Sequence, residues 1–185
     1  MIIIGICGSP RKNGNTEILL KEALKGAEEL GTKTELILLR MKKIEFCKGC
    51  EEVCEKTGSC QINDDMMEIY DKIGKSDGII IGTPTYFNMI SGVLKNFIDR
   101  CLPMSWSGRL KNKVTGIIAV GGDGDESIKE AAENIKTFIE ICEMKNIGKP
   151  LCIKASKCGE IAKNDKALTD ARNLGVKIVK SIVGK

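Results

Sequence analysis

The chain of 185 residues carries 29 Lys and Arg against 25 Asp and Glu, a formal net charge of +4, and 42% of its residues are hydrophobic. These values are typical of a folded globular protein with a sizeable core, and the scattered basic residues do not indicate nucleic-acid binding. The sequence also contains nine cysteines and no histidine. The lack of histidine excludes Ser-His-Asp and Cys-His nucleophiles, HExxH zinc hydrolases and any histidine general base.

No segment of the sequence predicts export or membrane insertion. The apolar run at positions 2–4 has no basic residues before it and is soon interrupted by Gly5 and Gly8. No later apolar stretch approaches the roughly 18 residues of a membrane span. We therefore expect a cytoplasmic protein with no membrane contact and no nucleic-acid partner. In a reducing compartment, closely spaced cysteines indicate metal binding or redox chemistry rather than a disulfide scaffold.

The chain alternates between strand-like and helix-like patterns. Strands are predicted over 1–7, 33–39, 78–82, 114–120 and 150–154, and helices over 15–30, 63–73, 90–102, 125–144 and 166–182. The first strand is a continuous apolar run, as expected for a strand buried on both faces, and the helices carry apolar residues at helical spacing. Asn63, Asp64 and Asp65 are expected to cap the second helix, and Pro103 is expected to end the third.

Five strands that alternate with five helices predict a single α/β domain over residues 1–185, with a doubly wound, five-stranded parallel sheet. Segment 41–61 is an insertion after the second strand, too long and too rich in cysteine for an ordinary connection. In sheets with strand order 2-1-3-4-5, ligands bind at the carboxyl ends of strands one and three. The candidate binding loops are therefore those that follow Cys7, Gly82 and Val120.

The first candidate loop joins a buried strand to the start of a helix. Its polar side chains are those of Ser9, Arg11, Asn13, Asn15 and Thr16. Backbone N–H groups and hydroxyls at a helix start bind anions, and neither a Walker A nor a GxGxxG pattern is present. This combination favours a phosphate monoester over a magnesium nucleotide. The alternative is an ordinary polar turn in which Asn or Ser caps the helix.

The second and third candidate loops have the properties of a ring-binding site. Tyr86 and Phe87 are adjacent in the second loop, although the whole chain has only 2 Tyr and 4 Phe. Two aromatic residues at the rim of a sheet suit a flat conjugated ring, whereas the alternative is that Phe87 caps the core. The third loop, Gly121-Gly122-Asp123-Gly124, allows the backbone to approach a ligand closely.

Taken together, these motifs resemble those of the NAD(P)H-dependent FMN reductases, which have a flavodoxin-like fold. The resemblance rests on Gly8-Ser9-Pro10-Arg11, Gly14-Asn15-Thr16, Pro84-Thr85-Tyr86-Phe87, Ser91-Gly92-Val93-Leu94-Lys95 and Asp99-Arg100. It implies FMN bound by Ser9, Arg11, Asn13, Asn15, Thr16, Pro84, Thr85, Tyr86, Phe87, Asn88, Gly121, Gly122 and Asp123. It also implies NAD(P)H as a candidate electron donor and a homodimer or homotetramer in which the flavin does the chemistry.

Four cysteines form a compact motif, Cys47-x2-Cys50-x3-Cys54-x5-Cys60. Such a set is typical of a four-cysteine zinc site or a cubane iron–sulfur cluster, and unmetallated thiols or a disulfide remain alternatives. The motif is similar to that of the archaeal iron–sulfur flavoproteins, which carry one [4Fe–4S] cluster beside FMN. In those proteins two residues usually separate the second and third ligands, whereas this chain has three, Glu51, Glu52 and Val53.

The resulting hypothesis is an oxidoreductase that passes electrons between a [4Fe–4S] cluster and FMN, with ferredoxin or NAD(P)H as donor and a small acceptor. No catalytic side-chain acid or base is expected. One alternative is a cluster-free NAD(P)H:FMN or quinone reductase. Another is a non-enzymatic electron carrier or a zinc-thiolate module. Cys7, Cys101, Cys142 and Cys152 are expected to pack as small hydrophobes. Cys158 has no assigned role, and Trp106 is interpreted as a flavin lid, a subunit contact or simple packing.

Overall fold

The computed structural model describes residues 1–184, which form a parallel sheet with helices on both faces. The strands are β1 (Ile2–Cys7), β2 (Lys33–Leu38), β3 (Gly78–Pro84), β4 (Val114–Gly121), β5 (Lys145–Asn146) and β6 (Leu151–Lys154). Their order is β2-β1-β3-β4-β5, and β6 also pairs with β4. The predicted doubly wound fold and strand order are therefore confirmed.

The sheet has one strand more than the five predicted. Both β5 and β6 pair with β4, at Val114–Thr115 and at Ile118–Gly121 respectively. Between them, Gly148 adopts a φ of 71° and Pro150 has no N–H to donate. These two residues interrupt the edge of the sheet, since proline removes a ladder hydrogen bond and the left-handed glycine turns the chain.

Residues 1–184 form seven α-helices: α1 (Asn15–Glu28), α2 (Glu51–Thr57), α3 (Met66–Lys75), α4 (Gly92–Arg100), α5 (Leu102–Trp106), α6 (Asp125–Ile141) and α7 (Asp165–Val183). Short 3₁₀ turns lie at Leu39–Met41 and Glu160–Lys163. Helices α1 and α7 cover one face of the sheet, while α3, α4 and α6 cover the other. No helix among residues 1–184 has both the length and the apolar character of a membrane span.

Three helix predictions need correction. Helix α3 begins at Met66 rather than at position 63, because the Asp64 and Asp65 carboxylates accept hydrogen bonds from the backbone of Glu45 and Lys43 instead of extending the helix. The helix predicted over 90–102 is two helices, and Pro103 lies in the first turn of α5, where its missing N–H costs no hydrogen bond. Helix α2, inside the cysteine-rich insertion, was not predicted.

Candidate functional site

A cavity of about 280 Å³ lies where β1, β3 and β4 end, and it brings all three predicted loops together. Its walls are formed by Ser9, Arg11, Gly14, Asn15, Thr16, Pro84, Thr85, Tyr86, Val120, Gly121, Gly122, Asp123, Ala155 and Ser156. This is the edge of a doubly wound sheet at which ligands bind. Ala155 and Ser156 were not identified from the sequence. Their position directly after the last predicted strand could have indicated that they lie at the same edge of the sheet.

The first loop presents a helix N-terminus to the cavity. The N–H groups in the first turn of a helix have no intrahelical acceptor. In α1 the N-cap residue is Gly14, which has no side chain that could accept a hydrogen bond from them. Gly14, Asn15 and Thr16 all line the cavity, which places this positive end of the helix at its wall. Arg11 adds a cation, and its Nη1 lies 3.5 Å from the carbonyl oxygen of Ser156. The loop can therefore hold an anion.

Two residues of this loop act as braces. The side-chain amide of Asn15 donates to the carbonyl of Lys157 (2.8 Å) and accepts from the N–H of Ile161 (3.2 Å). Asn15 therefore ties the loop to the segment that follows β6. Asn13 is exposed, adopts a φ of 53° and does not line the cavity. Its backbone N–H donates to the buried carboxylate of Glu17 (2.9 Å).

Glu17 is a buried acid that was not identified as a site residue from the sequence. Its carboxylate pairs with Arg40 (3.0 Å) and Lys21 (2.7 Å). Burial alone would raise the pKa of Glu17, but the hydrogen bonds from Lys21 and Asn13 and the charges of Lys21 and Arg40 hold it below 4.5. The signal in the sequence was an acid at the third helical position, where it can reach back to a backbone N–H.

The second loop divides into a half that lines the cavity and a half that does not. Pro84, Thr85 and Tyr86 line it, and the buried Oγ1 of Thr85 has no hydrogen-bond partner within residues 1–184. Such an unpaired hydroxyl costs stability unless a ligand completes its hydrogen bond. Phe87 and Asn88 form the tip of a tight turn closed by Tyr86 and Met89, with φ values of 50° and 62°.

The structure does not bring Phe87 and Asn88 to the cavity. Phe87 is 93% exposed, so it does not cap the core either. A bulky residue at positive φ is uncommon and strained. Proximity in sequence to Tyr86 could not reveal this, because Phe87 lies at the tip of the tight turn whereas Tyr86 lies at its base, paired with Met89.

The third loop fits closely against the segment after β6. A Cβ added to Gly122 would lie 2.5 Å from the Oγ of Ser156, and one added to Gly121 would lie 2.9 Å from the Cγ1 of Ile128. The backbone N–H of Ala155 donates to the carbonyl of Gly121 (2.8 Å). Glycine is therefore required at both positions, because a side chain there would collide with Ser156 or Ile128.

The four cysteines of the insertion lie around α2. Cys54 is buried, Cys50 and Cys60 are partly buried, Cys47 is exposed, and none forms a disulfide. Burial, together with the hydrogen bond to the Cys50 thiol and the charges of Cys50, Cys60 and Cys47, raises the pKa of the Cys54 thiol to about 11. Within residues 1–184 no three metal-ligating side chains are placed to share a single ion.

The cysteine insertion is fastened at both ends to α4. Arg100 is only 1% exposed, and its Nη1 donates to the Asp64 carboxylate (2.6 Å) and to the carbonyl of Glu45 (2.7 Å). Asn96 donates to the carbonyl of Ile44 (2.9 Å). Burial would raise the pKa of Asp64, but Arg100 and the N–H groups of Glu45 and Met66 keep it below its ordinary value. A buried arginine–carboxylate pair with these extra hydrogen bonds fixes the base of the insertion.

The remaining cysteines and Trp106 lie outside the cavity. Cys7, Cys101 and Cys142 are buried and Cys152 is partly buried, which fits their predicted packing role. Cys158 is exposed, and its sulfur lies 3.8 Å from the carbonyl oxygen of Lys12. Trp106 is 40% exposed at the end of α5 and does not line the cavity.

A parallel sheet in this order, with a ligand cavity at its carboxyl edge, defines a flavodoxin-like fold. A solved archaeal flavodoxin matches it with a TM-score of 0.65 at 15% identity, over 98% of both chains. The family model described as NADPH-dependent FMN reductase matches residues 1–157, so the chain belongs to this family. It is therefore a flavin-dependent oxidoreductase.

Two archaeal relatives are named iron-sulfur flavoproteins. An iron-sulfur flavoprotein of Methanocaldococcus jannaschii is 38% identical over 189 residues, covering 98% of this chain and 97% of that protein. An iron-sulfur flavoprotein of Methanosarcina thermophila is 35% identical over 149 residues, covering 80% of this chain and 78% of that protein. The resemblance drawn from the sequence motifs is thus confirmed.

The cavity fits the cofactor that defines the family. The first turn of α1 and Arg11 suit a phosphate monoester. The unpaired Thr85 hydroxyl can complete its hydrogen bond to a polar atom of the flavin ring, and the glycine wall formed by Gly121 and Gly122 lines the same cavity. The insertion fits a cubane cluster in donor type and number. A cubane takes one thiolate at each of four separate irons, and the insertion supplies four thiols.

Proposed function

We propose that this chain is an FMN-dependent oxidoreductase in which Cys47, Cys50, Cys54 and Cys60 bind a [4Fe–4S] cluster that exchanges electrons with FMN. One observation carries the proposal: four free thiols lie around the short helix α2, in one insertion that is fastened to α4. Helix α4 starts directly after the second loop of the cavity. The names of the archaeal relatives support the same conclusion.

In this proposal the protein binds and orients both groups. The N–H groups at the start of α1, together with Ser9, Arg11 and Thr16, hold the phosphate. Pro84, Thr85 and Tyr86 and the glycine wall hold the ring and exclude water from one side of it. The cluster supplies one-electron transfer and FMN one- or two-electron transfer, so no side-chain acid or base is required.

The electron donor is ferredoxin or NAD(P)H, and the acceptor is a small molecule. The exposed apolar side chains of Phe46, Phe87, Met89 and Ile141 suit contact with a second copy of the chain, as a homodimer or homotetramer. A thiolate-bound cluster also suits the reducing cytoplasm.

The test is the metal and flavin content of protein purified without oxygen. We expect about four irons per chain together with FMN in the wild-type protein. Cys54→Ser should lose iron and keep FMN, because Cys54 does not line the cavity. The matched control Cys158→Ser changes an exposed thiol outside the insertion and should keep both. Bound zinc without iron would contradict the proposal.

A cluster-free NAD(P)H:FMN reductase is the second candidate. The observation that favours it is the third residue between Cys50 and Cys54, which lies in the first turn of α2. FMN without iron or zinc in the same assay, with hydride transfer from NAD(P)H, would establish this candidate instead.

A further inference from the structure

Residues 155–161, which follow β6, pack against two of the three loops of the cavity, and we call them the closing segment. Its first two residues, Ala155 and Ser156, line the cavity. The backbone N–H of Ala155 donates to the carbonyl of Gly121 (2.8 Å), and Ser156 lies against Gly122. The closing segment is therefore a fourth wall of the cavity. It belongs to none of the three predicted loops, and the match to the family model ends within it.

The rest of the closing segment lies against the first loop, which carries the candidate phosphate site. The side chain of Asn15 joins the two: it donates to the carbonyl of Lys157 (2.8 Å) and accepts from the N–H of Ile161 (3.2 Å). The sulfur of Cys158 lies 3.8 Å from the carbonyl oxygen of Lys12. These contacts place the closing segment at the end of the cavity that suits the phosphate.

The closing segment is anchored at both ends and braced in between. Ala155 and Ile161 are buried in the core that α1 and α7 form with the sheet. Between them, the carboxylate of Glu160 accepts hydrogen bonds from the backbone N–H groups of Ser156 and of Lys157, the second at 3.0 Å. Hydrogen bonds to a carboxylate are stronger than those between neutral groups. Glu160 is exposed and does not line the cavity, so it acts on the cavity through the backbone that it holds.

We propose that the closing segment shuts the phosphate end of the cavity, so that the site accepts FMN, which ends in a phosphate monoester, and excludes FAD. Asn15 and Glu160 are the positioning residues. This inference rests on the proposed function, which assigns FMN to this cavity. In FAD the same phosphate continues into an adenylate group, and the closing segment has to be displaced to make room for it. The cavity of about 280 Å³ agrees, because it lies at the lower limit of ligand pockets, about 300–1,000 Å³.

The experiment is isothermal titration calorimetry of the full-length apoprotein with FMN and with FAD. We expect the wild-type protein to prefer FMN by about a hundredfold, because FAD has to break hydrogen bonds of the closing segment. Glu160→Ala removes the acceptor of two backbone N–H groups and should reduce this preference about tenfold. Glu160→Gln loses the same charge but keeps an oxygen acceptor, so it should retain most of the preference. Lys163→Ala removes an exposed charge from the same 3₁₀ turn and should behave like the wild-type protein.

Equal losses of preference in Glu160→Ala and Glu160→Gln would show that the charge of Glu160, rather than its hold on the backbone, excludes FAD, and would overturn the inference. Equal affinities of the wild-type protein for FMN and FAD would also overturn it, and that comparison does not depend on any variant folding. Wild-type apoprotein that binds neither flavin would contradict the proposed function itself, whereas binding of both flavins with equal affinity contradicts only the role of the closing segment.

Discussion

Gly122 and Ser156 meet at the wall of the candidate flavin cavity, and no room is left between them for another side-chain atom. A Cβ on Gly122 would lie 2.5 Å from the Ser156 Oγ, whereas one on Gly124 would meet nothing within 4 Å. The two glycines belong to the same loop, and neither adopts a positive φ. Substitutions at the two glycines therefore distinguish the effect of the close contact between Gly122 and Ser156 from the effect of adding a side chain to this loop.

We expect Gly122→Ala to weaken FMN binding about tenfold, because displacing Ser156 costs about 1–3 kcal/mol. Gly124→Ala should bind FMN like the wild-type protein. The measurement is quenching of FMN fluorescence on titration with apoprotein. Equal affinities for the two variants would show that the wall at Ser156 does not contact the flavin.

The buried carboxylate of Glu17 is expected to make the stability of the folded protein depend on pH in the acid range. Its folded-state pKa lies below its ordinary value of 4.5. The carboxylate therefore contributes stability above about pH 4.5, and that contribution is lost as the pH falls through the lowered folded-state value. We expect Glu17→Gln to cost about 1–3 kcal/mol at pH 7 and to differ less from the wild-type protein as the pH drops below 4.5.

Urea unfolding between pH 7 and pH 3 measures this difference. The control is Glu130→Gln, at an exposed position on α6, which should track the wild-type curve. A gap between Glu17→Gln and the wild-type protein that stays constant with pH would contradict the assigned ion pairs with Arg40 and Lys21.

Single residues also show where inference from the sequence stops. The sequence identified Ser9, Arg11 and Thr16 in the first loop, because hydroxyls and a cation at a helix start have a direct chemical meaning, and all three line the cavity. It did not distinguish a bracing role for Asn15, because the partners at Lys157 and Ile161 are more than 140 positions away in the chain. Contacts over such distances are set by the fold and leave no local pattern.

Helices α1 and α7 are in close backbone contact at two glycines. A Cβ on Gly175 would overlap the carbonyl of Ala23, and one on Gly26 would overlap the carbonyl of Arg172. Small residues at these positions let the two helices cover one face of the sheet. This packing also positions the start of α1, which forms part of the cavity.

We expect Gly175→Ala to destabilise the protein by about 3 kcal/mol, because a backbone carbonyl cannot move aside as a flexible side chain can. The control is Gly74→Ala in α3, whose Cβ would point into open space. That change should stabilise the protein by about 0.5–1 kcal/mol through helix propensity. Urea denaturation of both variants measures the difference, and equal stabilities would contradict the close approach of the helices.

The elements of the sheet were predictable, whereas those of the insertion were not. Long buried strands and amphipathic helices produce strong periodic patterns, and β1 to β4 and α1, α6 and α7 appear close to their predicted positions. Helix α2 has only seven residues, four of them charged, and carries no apolar period. Its place depends on tertiary contacts at the base of the insertion, such as the Arg100–Asp64 pair, which a sequence pattern does not encode.

At the scale of the whole molecule, the fold places the candidate flavin cavity and a four-cysteine insertion along the carboxyl edge of one sheet. The cavity lies at the ends of β1, β3 and β4, and the insertion follows β2, which pairs with β1. Both are connected to α4. The second loop of the cavity precedes α4 in the chain, and Arg100 and Asn96 of α4 donate hydrogen bonds to the insertion. This arrangement follows from strand order, which explains why the sequence could predict the location of the site but not its contacts.

The central claim is that the insertion adds a redox-active cluster to an FMN oxidoreductase. Anaerobic reductive titration, followed by visible absorption and electron paramagnetic resonance, tests it most directly. We expect uptake of about three electrons per chain, two by the flavin and one by the cluster, with a cluster signal that appears on reduction. Uptake of only about two electrons, with no signal from a metal centre, would contradict it.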